Sequence, residues 1–287
     1  MTTFTIGRHV VNRIGYGAMQ LTGPGVFGPP ADRDLALTIL RTAVEAGVNH
    51  IDTADYYGPG VVNRLIHDAL YPYPPDLVLV SKVGARRTST GGIFAWDDPA
   101  DLRQGIEDNL RVLRVDRLPA VNLRVMGGSE ADDRFADQVG AMVRAREDGL
   151  IEGVGLSNVS PPQLRHALQI TEVVCVQNSF SLLDRSSDEV LRLCTERGIA
   201  FVPYLPLGFP RQQREAILAT PAVREAARVL GVTPAQVALA WVAAAAPNVL
   251  LIPGTGSLEH LAQNLAVSDI VLDEATKSRL NRPAQAQ

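Results

Sequence analysis

From residue 32 onward, short β-branched apolar runs alternate with stretches of helical period, and this alternation leaves few folds open. The strand-like runs fall near Ile14–Ala18, Val48–Asp52, Leu77–Lys82, Leu118–Arg124, Gly153–Ser157, Val173–Gln177, Ala200–Tyr204 and Val249–Pro253. Strands separated by helices are the signature of a parallel sheet built from βαβ units. Eight of them suit a closed (β/α)8 TIM barrel, which typically takes about 250 residues, and the chain has 287. Helix starts punctuate the intervals. Asp98-Pro99, Ser160-Pro161 and Thr233-Pro234 each offer an oxygen-bearing N-cap followed by proline at the first helical position, where its missing N–H costs nothing. Gln236, three residues after Thr233, completes a capping box. Thr2 to Val11, with Gly7 at its middle, reads as a β-hairpin ahead of the barrel. No linker interrupts the pattern, so residues 1–287 are expected to form one domain, with low complexity confined to Pro283–Gln287.

Composition narrows the function classes. A hydrophobic content of 46% is ample for a large core, and a net charge of −4 gives no general attraction to nucleic acid or anionic membranes. The longest apolar stretch, Val237–Ala246, is about half of what a membrane span requires. The N-terminal residues Met1–Val11 lack an apolar core of signal-peptide length, so a soluble, cytoplasmic protein is expected. Cys175 and Cys194 sit in apolar runs where buried free thiols are common, and they imply neither a disulfide framework nor a zinc site. No metal is expected.

Chemistry gathers where strands end. Asp52-Thr53-Ala54-Asp55-Tyr56-Tyr57-Gly58 and Lys82 each follow an apolar run, which delivers an acid, a phenol and an amine to the carboxyl ends of neighbouring strands. Barrel enzymes keep their active sites at that face. A tyrosine titrates near 10 in water, and an ammonium within reach stabilises its phenolate and pulls that value down. Asp52, Tyr57 and Lys82 therefore read as a tuned general acid that protonates an oxyanion. The plainer reading is a structural ion pair between Asp52 and Lys82.

Asp52 and Tyr57 at their spacing, Lys82 after the next strand, Gly153-Val154-Gly155-Leu156-Ser157-Asn158, Gln177-Asn178 and Tyr204-Leu205-Pro206-Leu207-Gly208 together resemble the aldo-keto reductase superfamily, from Ile14 to Asn264. Gly15–Leu21, Asn122–Met126 and Ile252–Thr255 are similar in wording to the bacterial branch that contains pyridoxine 4-dehydrogenases, also called pyridoxal reductases. The resemblance implies reduction of an aldehyde or ketone by NADP(H), with NAD(H) not excluded, in a monomer acting on a small-molecule carbonyl. It makes Tyr57 the proton donor, since Tyr56 is one residue short of the family spacing. It also implies that the hairpin closes the barrel's lower end.

The same resemblance assigns the cofactor site. Ser157, Asn158 and Gln177 would hold the carboxamide, and Tyr204 would lie against the nicotinamide. Gln20, Asp52, Pro206, Leu207, Gly208, Gly254, Thr255, Gly256, His260, Gln263 and Asn264 complete the set. Gly254-Thr255-Gly256-Ser257 before a helix has the form of a phosphate-binding turn, and equally that of a plain capped glycine turn. Two departures stand out. Relatives usually end the fourth strand with histidine, where this chain has Arg124, and many carry basic residues where Gly254 and His260 stand. Arg124 can donate to a carbonyl oxygen, orient the substrate and stabilise alkoxide charge, but it does not shuttle protons. The alternative is that it pairs with Asp52 or another carboxylate. Met19, Phe27, Arg86, Trp96 and Asn122 are expected to shape the substrate pocket from the strand ends and from two long loops, 20–30 and 83–99. A slow-turnover nucleotide sensor, motivated by Arg124, and a Schiff-base aldolase or isomerase using Lys82 are the competing functions.

Overall fold

In the computed structural model, which describes residues 2–281, β1 (Thr3–Ile6) and β2 (His9–Asn12) form an antiparallel hairpin turned at Gly7. The barrel strands follow as β3 (Tyr16–Gly17), β4 (His50–Asp52), β5 (Val78–Arg87), β7 (Leu118–Arg124), β8 (Ile151–Ser157), β9 (Val173–Gln177) and β10 (Ala200–Phe201), with β6 (Ile93–Trp96) folded back on β5. The seven are parallel in the order β10-β9-β8-β7-β5-β4-β3. Residues 249–251 close the circle through parallel bridges from Val249 to Phe201 and from Leu251 to Ile14. The expected eighth strand is thus present as two bridges rather than a full ladder. The low-complexity tail, Pro283–Gln287, lies outside the described residues.

Helices pack around the outside: α1 (Arg33–Glu45), α2 (Val61–Leu70), α3 (Pro99–Leu113), α4 (Asp133–Glu147), α5 (Pro161–Ile170), α6 (Asp188–Arg197), α7 (Arg211–Ala219), α8 (Pro221–Leu230), α9 (Pro234–Ala243), α10 (Leu258–Leu265) and α11 (Glu274–Asn281). Ser160 and Thr233 each complete a capping box, whereas Asp98 caps nothing and lies 3.8 Å from Arg134. Apolar side chains fill the layer between strands and helices, including Ile39, Leu40, Ile66, Leu102 and Leu113. A second cluster fills the barrel itself, where Val78, Val80, Ala120, Cys175, Ala200, Val202, Leu250 and Ile252 meet Ile6 and Val11 of the hairpin. The hairpin therefore plugs one end of the barrel, and the open end is left for the strand termini. No single described helix is long and apolar enough to cross a membrane.

Two glycine contacts decide the shape of that open end. A Cβ on Gly17 would lie 2.4 Å from the Ile252 carbonyl oxygen, and one on Gly254 would lie 2.4 Å from the Gly17 carbonyl oxygen. Barrel closure thus presses two backbones together where neither residue can carry a side chain. Gly84 adopts φ of 103°, and a Cβ there would sit 2.4 Å from the Arg124 carbonyl oxygen. At this point β5 leaves the barrel and continues into the β5–β6 hairpin, so much of the segment expected to be a loop, 83–99, is strand.

Candidate active site

Asp52 and Lys82 point into the open end of the barrel and are 4% and 3% exposed. Lys82 donates to Asp52 Oδ1 and, at 3.0 Å, to the Thr53 carbonyl. The second Asp52 oxygen accepts Gln177 Nε2 at 2.6 Å. Both carboxylate oxygens are thereby engaged, and a buried pair with its hydrogen bonds completed is the form in which such charges are tolerated.

Tyr57 stands over this pair, with Lys82 Nζ 4.9 Å from its ring centroid. Backbone bonds hold its loop: Tyr57 N–H donates to Ala54 O, Gly58 N–H to Val26 O and Gly60 N–H to Asp55 O. Arg87 adds Nε to Tyr56 O at 3.0 Å and Nη1 to Gly91 O at 2.6 Å, which ties the tyrosine loop to the β5–β6 hairpin. The Tyr56 hydroxyl is sealed and partnerless, whereas the Tyr57 hydroxyl is unpartnered without being sealed. A proton donor has to be reachable, which separates the two phenols.

The expected electrostatics of Tyr57 need correcting. Burial, and secondarily the Asp52 charge, push its phenol above the ordinary value, while Arg124 and Arg87 act in the opposite direction. Lys82 faces the ring and is committed to Asp52, so the cations opposing the shift are the two arginines. The phenol holds its proton across the physiological range.

Arg124 ends β7, half-buried, with its guanidinium carbon 5.8 Å from the Tyr204 ring centroid. Its Nε is covered and has no partner, and it makes no ion pair among the described residues. The alternative of a pairing with Asp52 fails, since the ion-pair partner of Asp52 is Lys82.

Ser157 ends β8 and Gln177 ends β9, side by side in the register. The Ser157 hydroxyl and Gln177 Oε1 are both buried without partners. Because Gln177 Nε2 is held by Asp52, the free oxygen is an acceptor, and beside it Ser157 offers a hydroxyl donor. That donor and acceptor match the two halves of a carboxamide. Asn158, at φ 62°, spends its amide internally, donating to Val125 O at 2.8 Å and accepting from the Tyr204 hydroxyl at 3.2 Å. These bonds tie the Tyr204 hydroxyl to the end of the fifth barrel strand. The loop Leu205–Gly208 leaves the seventh strand through Leu205 at φ 52° and Gly208 at φ 85°, with Pro206 and Leu207 half-buried between them.

At the eighth strand end, Tyr16 donates to Thr255 O at 2.6 Å, Thr255 Oγ1 accepts Ser257 N–H, and Ser257 caps α10. Gln20 lies against Gly254 and Gly256. Asn264 Nδ2 reaches Pro253 O at 3.5 Å, Gln263 bonds to Glu259, and His260 is exposed on the first turn.

The pocket residues divide. Phe27 packs beside Gly91 and Met19 is half-buried, which brings the first loop against the hairpin. Arg86 is turned away: it stacks on Trp96 at 3.9 Å and pairs with Asp108 at 3.5 Å. Its neighbour Arg87 is the one that reaches the tyrosine loop. Asn122 is fully buried inside the barrel, where it accepts from Cys175 and fills the space left by Gly155.

The sequence profile of the Aldo/keto reductase family matches residues 13–282. The chain belongs to the aldo/keto reductase family. Among these reductases it is 46% identical over 282 residues to pyridoxine 4-dehydrogenase of Escherichia coli, covering 97% of each chain. A solved aldo-keto reductase of Klebsiella pneumoniae in complex with NADPH superposes with a TM-score of 0.81 at 28% identity, covering 100% of this chain and 98% of that one. A second Klebsiella pneumoniae aldo/keto reductase, in complex with NADP and acetate, gives a TM-score of 0.80 at 26% identity, covering 100% and 97%.

Proposed function

We propose that this chain is an NADP(H)-dependent reductase of aldehydes or ketones, acting as a single barrel domain in monomeric form, with pyridoxal as its substrate. The observation that carries the reading is the Asp52–Lys82 pair, completed by Gln177, beneath an accessible Tyr57 hydroxyl at the barrel mouth. The unpartnered Ser157 hydroxyl and Gln177 oxygen fit a carboxamide, and Tyr204 is braced to flank a planar ring. When bound, the nicotinamide supplies a hydride to the carbonyl carbon. Tyr57 donates its proton to the carbonyl oxygen as charge develops there, and Arg124 and Arg87 stabilise the phenolate left behind. Lys82 and Asp52 hold the floor of the site and do not exchange partners during the step. The relationship to pyridoxine 4-dehydrogenase supports pyridoxal as the carbonyl compound.

The test is a fluorescence titration with NADPH and with NADH, followed by addition of pyridoxal to each complex. Tight NADPH binding with oxidation on addition of pyridoxal is expected. Binding without oxidation by pyridoxal or by a generic aromatic aldehyde would refute the reductase and favour a nucleotide sensor.

A further inference from the structure

Two arginines at the mouth of the barrel form no ion pair among the described residues. Lys82 is neutralised by Asp52, whose other oxygen accepts from Gln177. Arg86 lies 3.5 Å from Asp108, which also pairs with Arg111 at 2.6 Å. Arg124 and Arg87 are left with no carboxylate among the described residues: Arg87 is bound only to the carbonyls of Tyr56 and Gly91, and Arg124 keeps a covered, partnerless Nε. A guanidinium drawn partly out of water without an acceptor is unfavourable, and proteins ordinarily pair such groups. Perturbed or uncompensated charge in a cleft marks a place where a ligand completes the arrangement.

The cofactor's phosphates do not account for it. The turn suited to them, Gly254–Ser257 at the start of α10, follows the strand segment at 249–253. In the circular strand order that segment lies opposite β7, which carries Arg124. Arg124 lies instead 5.8 Å from the Tyr204 ring centroid and acts electrostatically on the Tyr57 phenol.

We propose that Arg124 is the specificity-determining residue of this site, and that the preferred substrate carries an anionic oxygen, as a carboxylate or an ionised hydroxyl, beside its carbonyl group. This rests on the reductase reading above. The planar fork of the guanidinium takes two neighbouring oxygens at once, which a single-point donor does not. An aldehyde with its anionic oxygen on the adjacent carbon presents such a pair, and its isomer with the charge at the far end of the ring does not.

The experiment compares benzaldehyde, 2-carboxybenzaldehyde, 4-carboxybenzaldehyde and 2-hydroxybenzaldehyde as substrates with NADPH, in the wild type, Arg124→Gln and Arg124→Lys. In the wild type, kcat/KM for at least one ortho-charged aldehyde exceeds that for benzaldehyde and for the para isomer by roughly ten- to a hundredfold, the range of a charge-assisted hydrogen bond. The carboxylate and hydroxyl arms tell the two anion sources apart. Arg124→Gln abolishes the ratio, and Arg124→Lys restores part of it. Calorimetry of 2-(hydroxymethyl)benzoate and benzyl alcohol binding to the protein–NADP+ complex gives a readout without turnover: the anion binds at least about tenfold more weakly to Arg124→Gln, and the neutral alcohol is unaffected. Equal efficiency toward charged and neutral aldehydes in the wild type would overturn the proposal. So would an equal loss on every aldehyde in Arg124→Gln, which would assign the residue to tuning Tyr57 alone. Pyridoxal is run beside the panel: should neither it nor any benzaldehyde be reduced, the reductase reading fails, and the calorimetry still decides whether Arg124 holds an anion.

Discussion

Replacing Lys82 by methionine removes a positive charge from a place that water does not reach. Asp52 is 4% exposed and keeps only the Gln177 hydrogen bond, so its charge is left almost uncompensated. Breaking a buried ion pair on one side costs about 3–5 kcal/mol, and the carbonyl of Thr53 loses its donor as well. The assay is urea unfolding followed by circular dichroism, with ΔG extrapolated to water and the slope checked for constancy. The Lys82→Met variant should lose stability in that range. The double variant Asp52→Asn with Lys82→Met, which removes both charges, should lose less than the two single variants summed, because the partners are in direct contact. A Lys82→Met cost below about 1 kcal/mol, the range of an exposed pair, or strict additivity in the cycle, would refute the description of a desolvated pair.

His50 and the closing glycines supply two further tests. Burial lowers the His50 pKa from 6.5 to about 4, so it is neutral in the fold and charges on unfolding. The unfolded chain binds the extra proton between about pH 6.5 and 4, so stability falls as pH drops through that window, by about 3 kcal/mol in all. His50→Gln should flatten this part of the stability–pH curve, and an unchanged slope would exclude His50 as its source. Gly254→Ala should destabilise the fold by about 1–3 kcal/mol through overpacking, because its Cβ meets the Gly17 carbonyl at 2.4 Å, and should weaken NADPH binding. Gly256→Ala, with its nearest protein atom at 3.8 Å, should leave stability almost unchanged, and equal losses of stability at the two positions would contradict the closure geometry.

Much of this site was legible because its residues sit where strands end, and strand ends follow from the alternation of apolar runs. Asp52, Ser157 and Gln177 end their strands as expected, whereas Lys82 lies inside β5, which runs on to Arg87, and Tyr204 lies three residues past β10, held by a single bridge to Ser179. What escaped depends on contacts between distant segments. Gly84 falls in the segment 83–99 expected to be a loop, yet it lets β5 pass the Arg124 carbonyl and continue into a hairpin. That continuation turns Arg86 onto Trp96 and Arg87 onto the Tyr56 carbonyl, a choice two adjacent arginines do not reveal. The parity that put Asn122 on the same face as Arg124 is correct, but Asn122 lies deeper, against Cys175 and Gly155. The direction of the Tyr57 shift was misjudged because burial outweighs a lysine already engaged by Asp52. Gly254 departs from the residue many relatives carry there, and in this chain a Cβ at that position would meet the Gly17 carbonyl across the barrel seam.

The central claim is that Tyr57, and not its neighbour, gives the proton. The most direct measurement is the single-turnover rate of NADPH oxidation by pyridoxal in the wild type, Tyr57→Phe and Tyr56→Phe, with NADPH affinity measured alongside. Tyr57→Phe should lose roughly 100- to 10,000-fold, the contribution of a positioned general acid, while binding NADPH as the wild type does. Tyr56→Phe should retain the rate, since its hydroxyl is sealed from the mouth. A Tyr57→Phe enzyme that turns over at close to the wild-type rate would contradict the account.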